Sequence, residues 1–184
     1  MSELFSILLQ NRQQQGRDGV WLDLPTTTEQ VQAALRQIGI SSDNPQGLFI
    51  SGYFAEEEKR FAIPYNMVLA SNVDELNFLA SRLETLSAGE RAELNAALQA
   101  PQSELSSIGR ITDFPENVDY YVHLPEVHRP AQLGDYYLNR SGMVDMPEEW
   151  KGGIDTAQFG RYVAQQEQGV FTEYGYLVKS GDEW

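Results

Sequence analysis

The chain's two histidines, His123 and His128, stand in the hexapeptide His-Leu-Pro-Glu-Val-His, with Glu126 between them. Imidazoles and a carboxylate at that spacing could hold a metal ion or move a proton. Zinc needs three or four ligands in a closed geometry, and the prolines at 125 and 130 keep this stretch from presenting one helical face. A loop or edge-strand role suits both histidines better, and a hydrolase built on His123, Glu126 and His128 has the least support of any reading. The adjacent pair Glu148-Glu149 could do acid–base chemistry only in a desolvated pocket, and a solvated helical turn explains it without one. Gly152-Gly153 lacks the flanks of a phosphate-binding loop. The absence of cysteine excludes disulfides and thiolate metal sites. The expectation is a protein with no catalytic residue, no metal and no cofactor: not an enzyme.

What the chain has in quantity is carboxylate. It carries 27 acidic and 13 basic residues, a net charge of −14 over 184 residues. Such a chain is repelled by nucleic acid and by anionic membranes, and attracted to proteins that bind polyanions. Acidity also serves solubility alone, so placement matters more than amount. Residues 1–70 and 71–112 each have a net charge of −3, and residues 113–184 have −8, from 13 acids and five bases. The acids of that last segment are spaced, not blocked. A block would suggest a disordered tail, whereas spaced acids among aromatics suggest a folded surface with regular negative charge. The same segment holds seven of the nine tyrosines. They could stack on bases, but a surface this negative repels phosphates, so core or interface roles are expected.

Three segments position these groups. Residues 1–70 read as a small sheet with one helix. Leu4 to Leu9 is a strand candidate, the Gly16-Arg17-Asp18-Gly19 run is a turn, and Val20 to Leu24 is a strand ended by Pro25. Thr26 and Glu29 form a capping box before a helix carrying Val31, Ala34, Leu35 and Ile38 and closed by Gly39. An Asp43-Asn44-Pro45 loop leads to a strand over 47–54. Residues 71–112 read as helical: Asp74 to Leu86, a second helix opened by Ser87 with Glu90, and a short third one over 103–108. Residues 113–184 read as α+β, with a strand over 118–124, a helix from Pro130 to Asn139 and a turn at Pro147 to Trp150. Asp155 caps a helix that Gly169 ends, and a closing strand runs over 170–179. No 18-residue apolar stretch is present, nor a basic n-region before the short apolar run at Leu4. A soluble, cytoplasmic protein is expected.

Leu133-Gly134-Asp135-Tyr136-Tyr137, Met146-Pro147, Gly153-Ile154-Asp155, Phe159-Gly160-Arg161-Tyr162-Val163, Gly169-Val170-Phe171-Thr172 and Gly175-Tyr176 follow one another in the last third. In that order and spacing they resemble the ArdA antirestriction proteins, as do Gly19 to Pro25 and Asp74 to Ala80 earlier in the chain. The resemblance implies an elongated, curved α+β protein of three small domains, here 1–70, 71–112 and 113–184, dimerising through the last. It implies a DNA mimic, carried by plasmids and conjugative transposons, that occupies the DNA-binding groove of type I restriction-modification enzymes. The partners are then that groove and a second copy of the chain, with no direct contact to nucleic acid or membrane. Candidate mimic carboxylates are Asp113, Glu116, Asp119, Glu126, Asp135, Asp145, Glu148, Glu149, Glu167 and Glu173. Helix capping accounts for Asp155. Tyr136, Tyr137, Phe159 and Tyr162 are candidates for the core or the dimer contact. The other reading from the residues is an acidic, non-enzymatic adaptor that binds a host protein through the aromatic face of this segment.

Overall fold

The computed structural model describes residues 3–14, 18–41, 45–101, 103–181 and 184. Residues Gly16, Arg17, Asp43 and Asn44 of the two expected turns lie outside the described residues, as do Asp182 and Glu183. In chain order the elements are β1 (Phe5–Asn11), β2 (Val20–Leu24), α1 (Thr28–Gln37), β3 (Leu48–Phe54), α2 (Tyr65–Leu69), α3 (Val73–Leu83), α4 (Ala88–Gln99), α5 (Ile108–Asp113), β4 (Tyr121–Leu124), α6 (Pro130–Asp135), α7 (Glu148–Lys151), α8 (Thr156–Glu167), β5 (Val170–Thr172) and β6 (Gly175–Lys179). This is the expected α+β class. The chain forms two compact units, Met1–Ser87 with Leu105–Pro115, and Ala88–Glu104 with Glu116–Trp184. Helices α3 and α5 thus belong to the first unit and α4 to the second.

The first unit is built on an antiparallel sheet of order β2-β1-β3. Strand alternation sends Phe5, Ile7 and Leu9 to one face, with Leu22, Leu24 and Ile50 from the neighbours, and all six are buried. Helix α1 joins that side through Ala34 and Ile38, and the buried Asn11 ties it down by donating Nδ2 to the Ile38 carbonyl at 3.0 Å. The cap of α1 is Thr27, not Thr26. Thr27 Oγ1 accepts from Gln30 N–H and Gln30 Oε1 accepts from Thr27 N–H, a capping box one residue later than expected. Thr26 is otherwise engaged: its N–H donates to Asn77 Oδ1 at 2.7 Å and its carbonyl accepts from Asn77 Nδ2 at 3.0 Å, pinning the strand end to α3. The short helix expected over 103–108 begins only at Ile108, because Ser107 supplies the cap and Ile108 and Ile111 supply the buried side.

The second unit has a sheet of order β4-β6-β5. The expected single strand over 170–179 is a hairpin. Tyr174 N–H and the Gly175 carbonyl both bond Thr172 Oγ1, and Gly175 has φ +122°, a backbone region open to glycine. Its core gathers Val127, Leu133, Ala164 and Tyr176, flanked by Tyr136, Tyr137, Val163 and Phe171. Helices α6 and α8 cross at backbone distance. A Cβ on Gly134 would run into the Thr156 carbonyl, and one on Gly160 into the Pro130 carbonyl and within 2.8 Å of the Gly134 nitrogen. Asp155 caps α8 as expected, accepting from Ala157 and Gln158 N–H at 2.9 and 3.0 Å. The left-handed residue that ends α8 is Gln168 (φ 56°) and not Gly169. Gly169 is required for another reason: the Tyr176 hydroxyl fills the space a side chain would need. The expected helix over 130–139 is helical throughout, but beyond α6 it widens to a π-helical turn over Tyr136–Arg140, closed by Ser141 N–H to the Tyr136 carbonyl at 2.9 Å. Among the described residues no helix is long and apolar enough to cross a membrane.

Candidate functional site

Eight of the ten candidate carboxylates are exposed: Asp113, Glu116, Asp119, Glu126, Asp145, Glu148, Glu149 and Glu173. Asp113 closes α5 in the first unit, and the other seven stand in the second. Five of them are placed by turns and helix ends. Glu148 and Glu149 occupy the first turn of α7, where acids suit the positive end of the helix, and Glu148 also meets Lys151 at 2.6 Å. Asp119 sits in the 3₁₀ turn Val118–Tyr120 that leads into β4. Glu126 follows β4 in the turn before α6, and Glu173 is the tip of the β5–β6 hairpin, where it accepts from Gln99 of α4.

The remaining two are half-buried and have partners. Asp135 pairs with Arg140 at 3.0 Å and accepts from Asn139 Nδ2 at 2.9 Å. Glu167 accepts the hydroxyls of Tyr137 at 2.5 Å and Tyr176 at 3.0 Å, binding the end of α8 to both the π-helical turn after α6 and β6. Burial, then Glu167, pushes both phenols well above the ordinary tyrosine range, so both remain protonated donors. Glu167 is therefore an internal tie more than a displayed charge.

The four aromatic candidates divide. Tyr136 and Tyr137 pack on the core, in an edge-to-face pair with centroids 5.4 Å apart. Phe159 is half-buried. Tyr162 is 58% exposed, in company with Trp150 at 68% and Met143 at 76%, which the sequence reading did not single out.

His123 is half-buried on β4, and its Nε2 lies 2.8 Å from the Tyr174 carbonyl. Burial lowers its pKa, so the ring is held neutral and donates to that carbonyl. His128 is exposed. Among the described residues no group of three or more His, Asp or Glu side chains is arranged to hold a metal ion.

One group was missed entirely. Glu93 of α4 is half-buried, and its Oε1 is shielded from solvent with no hydrogen-bond partner. Burial, then Glu90, then Asp119, push its pKa up to about 7. Its sequence context, an acid among alanines and leucines of a helix, carried no mark of this.

The second unit as a whole has 15 acidic and six basic residues, a net charge of −9, against 12 and seven, −5, for the first. Most of the charge therefore lies on the second unit, where seven of the candidate carboxylates are exposed. No curated protein matches this chain. The profile of the family described as Antirestriction protein (ArdA) matches residues 15–178, which takes in every helix, the α6–α8 glycine crossing and all ten candidate carboxylates, while β1 lies before it. The chain belongs to the ArdA family of antirestriction proteins.

Proposed function

We propose that this protein protects incoming mobile DNA by imitating it: its carboxylates take the place of phosphates in the DNA-binding groove of a type I restriction-modification enzyme. The reaction is competitive occupation, and no bond is made or broken. The observation that carries this reading is the outward display of eight spaced carboxylates, seven of them on a unit of net charge −9. Two copies double the chain's −14 to −28. Duplex DNA carries one charge per roughly 1.7 Å of axis, so a dimer matches about 48 Å, or roughly 14 base pairs. The reading takes the chain to be cytoplasmic and elongated, with the 1–70, 71–112 and 113–184 segments laid along the duplex path. Dimerisation runs through the last of these, with Tyr162 as its contact.

Carboxylates that pair with lysines and arginines of a groove release counterions as DNA does, so affinity should fall steeply with salt. The test is binding of the purified protein to a type I enzyme at two salt concentrations, with duplex DNA as competitor. A log-linear fall with salt and mutual exclusion with DNA are expected. Affinity that ignores both salt and DNA would defeat the mimic and favour a second reading, an acidic adaptor docking through its aromatic surface. Exposed Met143, Trp150 and Tyr162 are the observation that favours that alternative.

A further inference from the structure

We propose that Glu93 is a proton-linked switch between α4 and the start of β4: neutral, it lets α4 seat against the second sheet, and ionised, it is repelled by Glu90 and Asp119 and loosens that helix. The geometry is specific. Oε1 is sealed from solvent and bonded to nothing, which costs far more for a carboxylate than for a carboxylic acid. Glu90 lies one turn back on the same face of α4, and Asp119 stands on the 3₁₀ turn Val118–Tyr120. Arg91, two residues from Glu93, is on a different face of the helix. From β4, Tyr121 is buried and stays a neutral phenol, raised first by burial. Glu104, after α4, is taken up by Lys179 of β6 at 2.6 Å, and Lys179 also lies over the Tyr120 ring. The chain beyond Glu93 is thus tied twice, by Gln99–Glu173 at the end of α4 and by Glu104–Lys179 just after it, while the helix before these ties rests on the protonation of one acid.

A consequence rests on the mimicry reading: cations brought near Glu90 and Asp119 by a basic partner would draw the proton off Glu93, so binding would release a proton near neutral pH.

The test of the switch uses the free full chain. Carboxyl ¹³C NMR should show Glu93 titrating about two pH units above an ordinary glutamate, with amide shifts of α4 moving at the same midpoint. Asp119→Asn should move that midpoint down. Glu93→Gln should raise Tm at pH 8 by about 3 °C and leave α4 insensitive to pH. A Glu93 midpoint near 4.5, or α4 amides that ignore it, would overturn the proposal. Should Glu93→Gln fail to fold, the wild-type and Asp119→Asn titrations decide alone. Failure to bind a restriction enzyme would strike the mimicry reading and leave these titrations standing.

Discussion

The two units solve the same problem, a three-stranded antiparallel sheet that must be covered, with different materials. In the first, the covered face is aliphatic and aromatic, with Phe5, Ile7 and Leu9 alternating along β1, Leu22 and Leu24 along β2, and Ile50 facing Leu9 from β3. In the second, the sheet is covered by two helices brought together at backbone distance by Gly134 and Gly160, and the join is finished by a carboxylate between two tyrosines. An aliphatic face tolerates exchange of one apolar residue for another of like volume. A glycine crossing tolerates no side chain. Five of the residues that carry the family resemblance in the last third, Gly134, Gly160, Gly169, Gly175 and Tyr176, are of this second kind. That part of the signature marks how the scaffold closes, and the candidate charges lie mostly between the signature residues.

The largest expected effect tests that contrast directly. Gly160→Ala should cost about 4 kcal/mol, since its Cβ would meet backbone atoms that cannot move aside. Hydrogen exchange should show the loss confined to 88–104 and 116–184, and a variant as protected there as wild type would break the comparison. Leu9→Ala, in the aliphatic face, should cost about 3 kcal/mol, read by denaturant unfolding, with protection lost in the first unit instead. Glu167→Gln keeps the volume but can accept only one of the two tyrosine hydroxyls, and should cost about 2 kcal/mol.

Acid response is a finer probe of the second unit. Glu93 has a raised folded pKa, so the folded state binds more protons than the unfolded between about 4.5 and about 7, and stability falls as pH rises through that window. With Glu93 partly solvated, the expected change is about 1 kcal/mol. His123 works the other way: its folded pKa is depressed, so its contribution is complete above about 6.5 and is lost as pH falls through the folded value. Thermal unfolding of wild type and Glu93→Gln across pH 5 to 8 separates the two slopes. The smallest effect belongs to the surface. Glu148→Gln with Glu149→Gln should change stability by less than about 0.5 kcal/mol while measurably weakening inhibition of a restriction enzyme, because exposed charges contribute little to folding.

Much of this was legible before any coordinates. The stripe Leu76, Leu79, Ala80 and Leu83 announces α3, and Asp155 announces the start of α8. Errors came where one residue type serves two purposes. Thr26 and Thr27 are equally good caps, and only the distant Asn77 decides between them. The run from Val170 to Lys179 reads as one strand because Glu173 and Tyr174 do not look like a turn until Thr172 folds back on them. The same holds for the carboxylates. Glu126 and Glu167 are indistinguishable in sequence, yet one faces solvent and the other holds two phenols, because burial is set by contacts far along the chain. Glu93 was invisible for that reason.

The π-helical turn over Tyr136–Arg140 has a consequence for how this surface could change over evolutionary time. In a regular α-helix, residues five apart point away from each other, but the wider turn brings Arg140 beside Asp135 and quiets one of the candidate charges. Loss of a single residue between them would restore ordinary helical winding and leave the two partners four apart, the spacing at which an acid and a base meet on an α-helix. The pairing here is therefore buffered against a change in chain length: a one-residue deletion that spares both partners would leave this charge quiet.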